Sequence, residues 1–204
     1  MFNLFKKKQD YSSIFSSPTA TYELIYGDRS KTSGVLGNQA FIDAWLSSPN
    51  MVRVSSIIRK EAISGDIPSV KQMIWLSELY YRDSARISDA TARSAIQKSA
   101  LTERIIFCEK AIALGMKDRA YQAMVSCSNL YSLLEAGGAP IGDQEAREAL
   151  NGIVRNSKLF LESGYNDPEL TEDAESLLKH FEPLARIMNA VASSEANHTP
   201  NNAF

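Results

Sequence analysis

LTERIIFCEKAIALG, residues 101–115, decides the fold. Ile105, Ile106, Cys108, Ile112 and Ala113 recur at three- and four-residue spacing, which winds them onto one stripe of an α-helix. Thr102 is a candidate N-cap for this helix, although no Glu or Gln follows at the third position to complete a capping box. Gly115 is its expected end, because glycine enters the left-handed backbone region without a Cβ clash.

The phrase recurs along the chain. KEAISG at 60–65 and KLFLESG at 158–164 resemble KAIALG at 110–115, and Gly65, Gly115 and Gly164 lie 50 and 49 residues apart. After each of the first two glycines comes a further apolar segment with a similar phrase, LSELY at 76–80 and CSNLY at 127–131. A recurring helix, glycine, helix unit implies modules that hide their apolar faces only by stacking on one another.

Composition agrees with this. The chain has 204 residues, 44% of them apolar and 23% charged, which is enough to build a core and ordinary for a soluble globular protein. Seven prolines and ten glycines leave room for long helices, and alanine is favoured over valine. The expected helices run over about 38–46, 49–64, 67–81, 89–114 with a bend near Ala100, 117–136, 143–163 and 168–192. Val52, Ile57, Ile58 and Ala62 are the expected inward residues of the second. Asn38, Ser48, either Ser88 or Asp89, Asp143 and Asp167 are expected N-caps, with Pro49 and Pro168 at first helical positions. Pro183 is expected to kink or divide the last helix. Residues 1–37 read as loose, 38–192 as the helical domain, and 193–204 as a polar, disordered tail.

FCEKAIALG at 107–115 resembles the second helix of a Sel1-like repeat, a relative of the tetratricopeptide repeat, with its aromatic residue, Lys-Ala pair and following Gly. Leu76-Ser77-x-x-Tyr80 and Cys127-Ser128-x-x-Tyr131 are similar to the family's first-helix Leu-Gly-x-x-Tyr, with Ser in place of Gly. The spacing here is longer than the family's. The resemblance covers about residues 50–182. It implies an all-α chain of about three stacked antiparallel helix pairs with a concave side. It further implies an adaptor or scaffold role, and it transfers packing residues but no catalytic ones.

The chemistry of the side chains points the same way. His180 and His198 are the only histidines, and neither is placed to serve a nucleophile or a metal with the Cys or carboxylates near it in sequence. Cys108 and Cys127 fall on apolar helical stretches and read as small buried hydrophobes in a reducing compartment. No catalytic residue, cofactor or metal is expected. Glu169, Glu172, Asp173 and Glu175 sit where a helix dipole favours carboxylates. A net charge of −2 argues against a dedicated nucleic-acid binder. Residues 1–101 hold 13 Lys/Arg and 9 Asp/Glu, whereas 102–204 hold 9 and 15, so the acidic second half would attract a basic partner.

The expected function is therefore protein binding in a bacterial cytoplasm. It takes one of two forms: an adaptor, or an immunity-type inhibitor of a basic toxin or a secretion-system component. The expected groove is formed by residues 67–81 and 117–134, with Trp75, Tyr81, Lys117, Tyr121 and Gln122 as candidate partner-contacting residues. Tyr80, Tyr81, Tyr121 and Tyr131 have two readings, as core or as recognition surface. The competing class is an enzyme holding a phosphate ligand in the loop from Gly27 to Gly37. That loop lacks the Lys-Ser/Thr tail of a P-loop and the third glycine of a dinucleotide turn. Phe2, Leu4 and Phe5 beside Lys6, Lys7 and Lys8 would touch an anionic membrane only weakly, and no apolar run has the length of a secretory signal or a membrane span.

Overall fold

A computed structural model describes the backbone of residues 39–140 and 142–198, with side chains from 42 to 140 and 142 to 194. The loop 27–37, the basic segment 1–8, the Asn38 cap and the residues after 198 lie outside the described residues. Among those described, regular structure is entirely helical: α1 (Gln39–Leu46), α2 (Met51–Ser64), α3 (Ile67–Asp83), a 3₁₀ turn (Ser84–Arg86), α4 (Ala90–Ala113), α5 (Arg119–Ala136), α6 (Gln144–Glu162) and α7 (Pro168–His198). No helix among them is long and apolar enough to cross a membrane. The chain divides into two compact units, Met1–Ser69 and Val70–Phe204.

In the first unit, α1 and α2 are joined by a turn at Ser48. Its hydroxyl accepts from the Asn50 N–H at 3.2 Å, and its carbonyl accepts from the Met51 N–H at 3.1 Å. Ser48-Pro49 thus forms the turn before α2 rather than its first residues. The buried line of α2 is Val54, Ile58 and Ala62. Val52 is 72% exposed and Ile57 38%, so two of the four expected inward residues face out. A pure four-residue step carries the narrow contact of a short helix; the expected set mixed two faces.

In the second unit, α4 is one helix from Ala90, and its N-cap is Asp89, whose carboxylate accepts from the Ala92 N–H at 2.6 Å. Thr102 is therefore mid-helix. Its hydroxyl donates back to the Lys98 carbonyl at 2.9 Å, the usual resort of a helical threonine. The buried residues are Ala100, Leu101, Phe107, Cys108 and Ala111. Of the five residues expected on the stripe, Cys108 is buried, Ile105 and Ile112 lie at its edge, and Ile106 and Ala113 are exposed.

Side-chain pairs fix the directions of the later helices. Lys98 pairs with Glu145, and Glu109 with Arg155, so α4 and α6 run the same way. Tyr121 donates to Asp173 at 2.7 Å, and Tyr131 meets Phe181 edge-on at 5.7 Å, so α5 and α7 also run together. Lys158 with Glu182, and Asn151 with Asn189, set α6 against α7 in opposite directions. Each of α4 to α7 packs on the next. The core between them includes Met124, Leu150, Ile153 and Phe160, all essentially sealed from solvent.

Three glycines carry the turns of the expected units. Gly65, Gly115 and Gly164 have φ of 98°, 92° and 72°. At the first two, the next N–H reaches back to the carbonyl five residues earlier, Asp66 to Glu61 and Met116 to Ala111, closing a Schellman cap. After Gly164, the Tyr165 N–H is instead taken by the Ser163 hydroxyl at 3.2 Å. Pro183 does not divide α7, which continues as helix to His198, past the expected boundary at residue 192.

Candidate functional site

Two concavities in the second unit are lined by side chains of unlike sign. The larger, about 550 Å³, is a groove between α4 and α6 with α5 beneath. Its apolar surface comes from Ile105, Ile106, Cys127, Leu130 and Ala149, with Ile106 half exposed. Glu109, Glu145 and Glu148 stand along it against a single cation, Arg155. Lys98 reaches Glu145 from outside the lining, and Glu148 accepts from the Gln144 amide at 2.9 Å.

The bottom of this groove depends on Gly152. A Cβ there would stand 2.6 Å from the Cys127 Sγ, closer than any real contact, so the missing side chain is what lets α6 approach α5. Burial pushes both thiols up to about 12, with nearby arginines opposing in each case: Arg104 and Arg119 for Cys108, Arg155 for Cys127. They are inert apolar fillers rather than nucleophiles.

The smaller cavity, about 190 Å³, lies among α3, α4 and α5. Ile74 and Trp75 form its apolar wall, and its charges are Lys71, Arg104, Arg119 and Glu78. Arg104 Nη1 donates to Glu78 Oε2, while Glu78 Oε1 takes Arg82 Nε at 2.5 Å. Arg119 Nη1 donates to Gln122 Oε1 at 3.0 Å, and Asp118 Oδ2 stands 3.4 Å from Arg119 Nε without a hydrogen bond. The Nε–H groups of both arginines are buried and make no hydrogen bond.

Of the five sequence-derived candidates, Trp75 and Gln122 line this small cavity together. Tyr81, Tyr121 and Lys117 line neither concavity. Tyr81 is partly buried against the small core cluster formed by Leu101, Leu130 and Ala149. Tyr121 packs on Phe160 with ring centroids 5.3 Å apart, and burial followed by the Asp173 hydrogen bond pushes its hydroxyl up to about 12. Lys117 is exposed in the turn before α5. Sequence reasoning missed Arg104, Arg119 and the Glu109, Glu145, Glu148 row. Their charges looked like ordinary solvated helix surface, and only the positions of the neighbouring helices gather them. Among the described residues no group of three His, Cys, Asp or Glu is placed to hold a metal.

Comparison of the chain with family models, with curated proteins and with solved structures finds no match.

Proposed function

We propose that this chain is a non-enzymatic, helical-repeat protein of the Sel1 or tetratricopeptide kind that binds a basic, amphipathic segment of another protein in the groove between α4 and α6. One observation carries this: an apolar floor bordered by three glutamates and one arginine. Apolar burial supplies affinity in such a groove, and the surrounding charge selects and steers the partner. The repeat reading is supported by the matching caps at Gly65 and Gly115 and by the shared directions of α4 with α6 and α5 with α7. The role takes one of two forms in a bacterial cytoplasm, an adaptor or an immunity-type inhibitor of a basic toxin or secretion-system component.

The test is a pull-down from the native host with the natural chain and with an E145K/E148K variant, at low and high salt. The expected result is a basic protein captured by the natural chain and lost in the variant and at high salt. Capture that is indifferent to both changes would overturn the reading. One captured partner identifies the inhibitor, and several unrelated ones the adaptor.

A further inference from the structure

We infer that residues 2–8 of this chain, FNLFKKK, occupy the groove between α4 and α6, so that an incoming partner must displace them. This rests on the reading of the groove as a receptor for basic amphipathic segments, and adds its regulation. Across the groove, Lys98 of α4 pairs with Glu145 of α6, and Glu109 of α4 with Arg155 of α6. Glu148, between those two positions on α6, takes only the Gln144 amide, at 2.9 Å. Three carboxylates thus meet two cations. One negative charge is left over beside an apolar floor on which Ile106 is half exposed. An occupant has to cover that apolar surface and bring positive charge.

Residues 2–8 meet both demands. Phe2, Leu4 and Phe5 supply the apolar body, and Lys6, Lys7 and Lys8 form the only run of three consecutive cations in the sequence. No acidic residue precedes Asp10. The other apolar phrase ahead of α1, YELIY at 22–26, does not fit, because Glu23 lies within it and Asp28 just beyond. The groove's volume of about 550 Å³ suits a drug-sized body, which a few large side chains provide. Residues 9–38 separate the segment from α1, and a stretch of that length can span up to about 100 Å. Covalent attachment acts as a high effective concentration, so a contact too weak to hold a free peptide tightly still keeps the groove filled. An anionic membrane would use the same lysines but leave the apolar floor uncovered.

The experiment compares the natural chain with a K6E/K7E/K8E variant. Isoleucine methyl NMR of the two is expected to differ at Ile105 and Ile106 and to agree at Ile58 in α2. A fluorescent peptide of residues 1–10 is then titrated into both at low salt. It is expected to bind the variant saturably, and the natural chain about fivefold more weakly, because there the groove is already filled. Adding Glu148→Lys to the variant should weaken the peptide about fivefold to tenfold. Glu148 is exposed, so this change keeps the fold, which circular dichroism checks. Ile106→Ser, at a half-exposed position, should weaken the peptide as well and tests the apolar half of the contact. No saturable binding of the peptide to the variant, or binding indifferent to both substitutions, would overturn the inference. So would a natural chain whose lysines engage phosphatidylserine vesicles while Ile105 and Ile106 match the variant. A host partner captured through the groove with no peptide binding would end this inference alone. Peptide binding with no host partner would end the reading above alone.

Discussion

Cys127 and Gly152 are one contact written in two residues. An added Cβ at 152 would meet the Cys127 Sγ at 2.6 Å in a buried setting, so one of the two helices must shift or the thiol must leave its rotamer. Gly152→Ala should therefore destabilise the protein by about 1–3 kcal/mol in denaturant melts, despite alanine's better helix propensity. Cys127→Ala in the same chain should restore most of that loss, and the double-mutant cycle measures the coupling. A G152A chain as stable as the natural one would show that the helices do not touch there. The thiols make a second residue-scale prediction. Their folded values, raised by burial from 9.0 to about 12, place nearly all of each in the neutral form at neutral pH. A disulfide-exchange reagent at mildly alkaline pH should label neither thiol in the native protein and both in denaturant. A raised folded value contributes stability that is complete below the unfolded value and fades as pH climbs through the folded one. Stability should thus decline above pH 9, with Tyr121 adding to the loss above its ordinary 10.0.

At the scale of the element, the ends of the helices were more legible than their faces. Aspartate before a helix announces itself: Asp143 accepts from the Ala146 N–H at 2.8 Å and Asp89 from the Ala92 N–H at 2.6 Å. Thr102 offers the same chemistry on paper, but the helical residues before it leave no free N–H group for it to cap. Asp143→Ala should cost about 1 kcal/mol, while Thr102→Ala should be nearly neutral. Equal losses would mean that α4 begins at Thr102 after all. The faces were harder to read because each of α4 to α7 has more than one neighbour. In α4 the buried arc is centred on Leu101, Phe107 and Cys108, and Ile106 is left in the groove. Periodicity marks an apolar stripe without saying which part of it meets protein and which meets solvent.

At the scale of the whole molecule, packing of the helices of the second unit gathers side chains that lie far apart in sequence. Arg104 and Glu78 are 26 residues apart, and their pair joins α3 to α4 with both side chains largely shielded. Glu78→Gln should lower stability by about 1–3 kcal/mol, since it leaves a shielded guanidinium without its counter-charge. A stability unchanged in urea would show the pair to be as weak as an exposed one. The same stacking gathers Glu109, Glu145 and Glu148 from two helices into one row, and Arg104 and Arg119 from two helices into one cavity.

Sequence alone determined the helical class, the glycine turns at 65, 115 and 164, the end of a helix at Ala136 and the aspartate caps. These depend on residues within a few positions of one another, so local backbone chemistry suffices. Tertiary structure alone decided which apolar residues face inward, that Trp75 and Gln122 share a cavity while Tyr121 props α7, and which charges stand together. Those outcomes depend on how neighbouring helices are placed, and helix-to-helix distance is not encoded in the spacing of residues along any one of them.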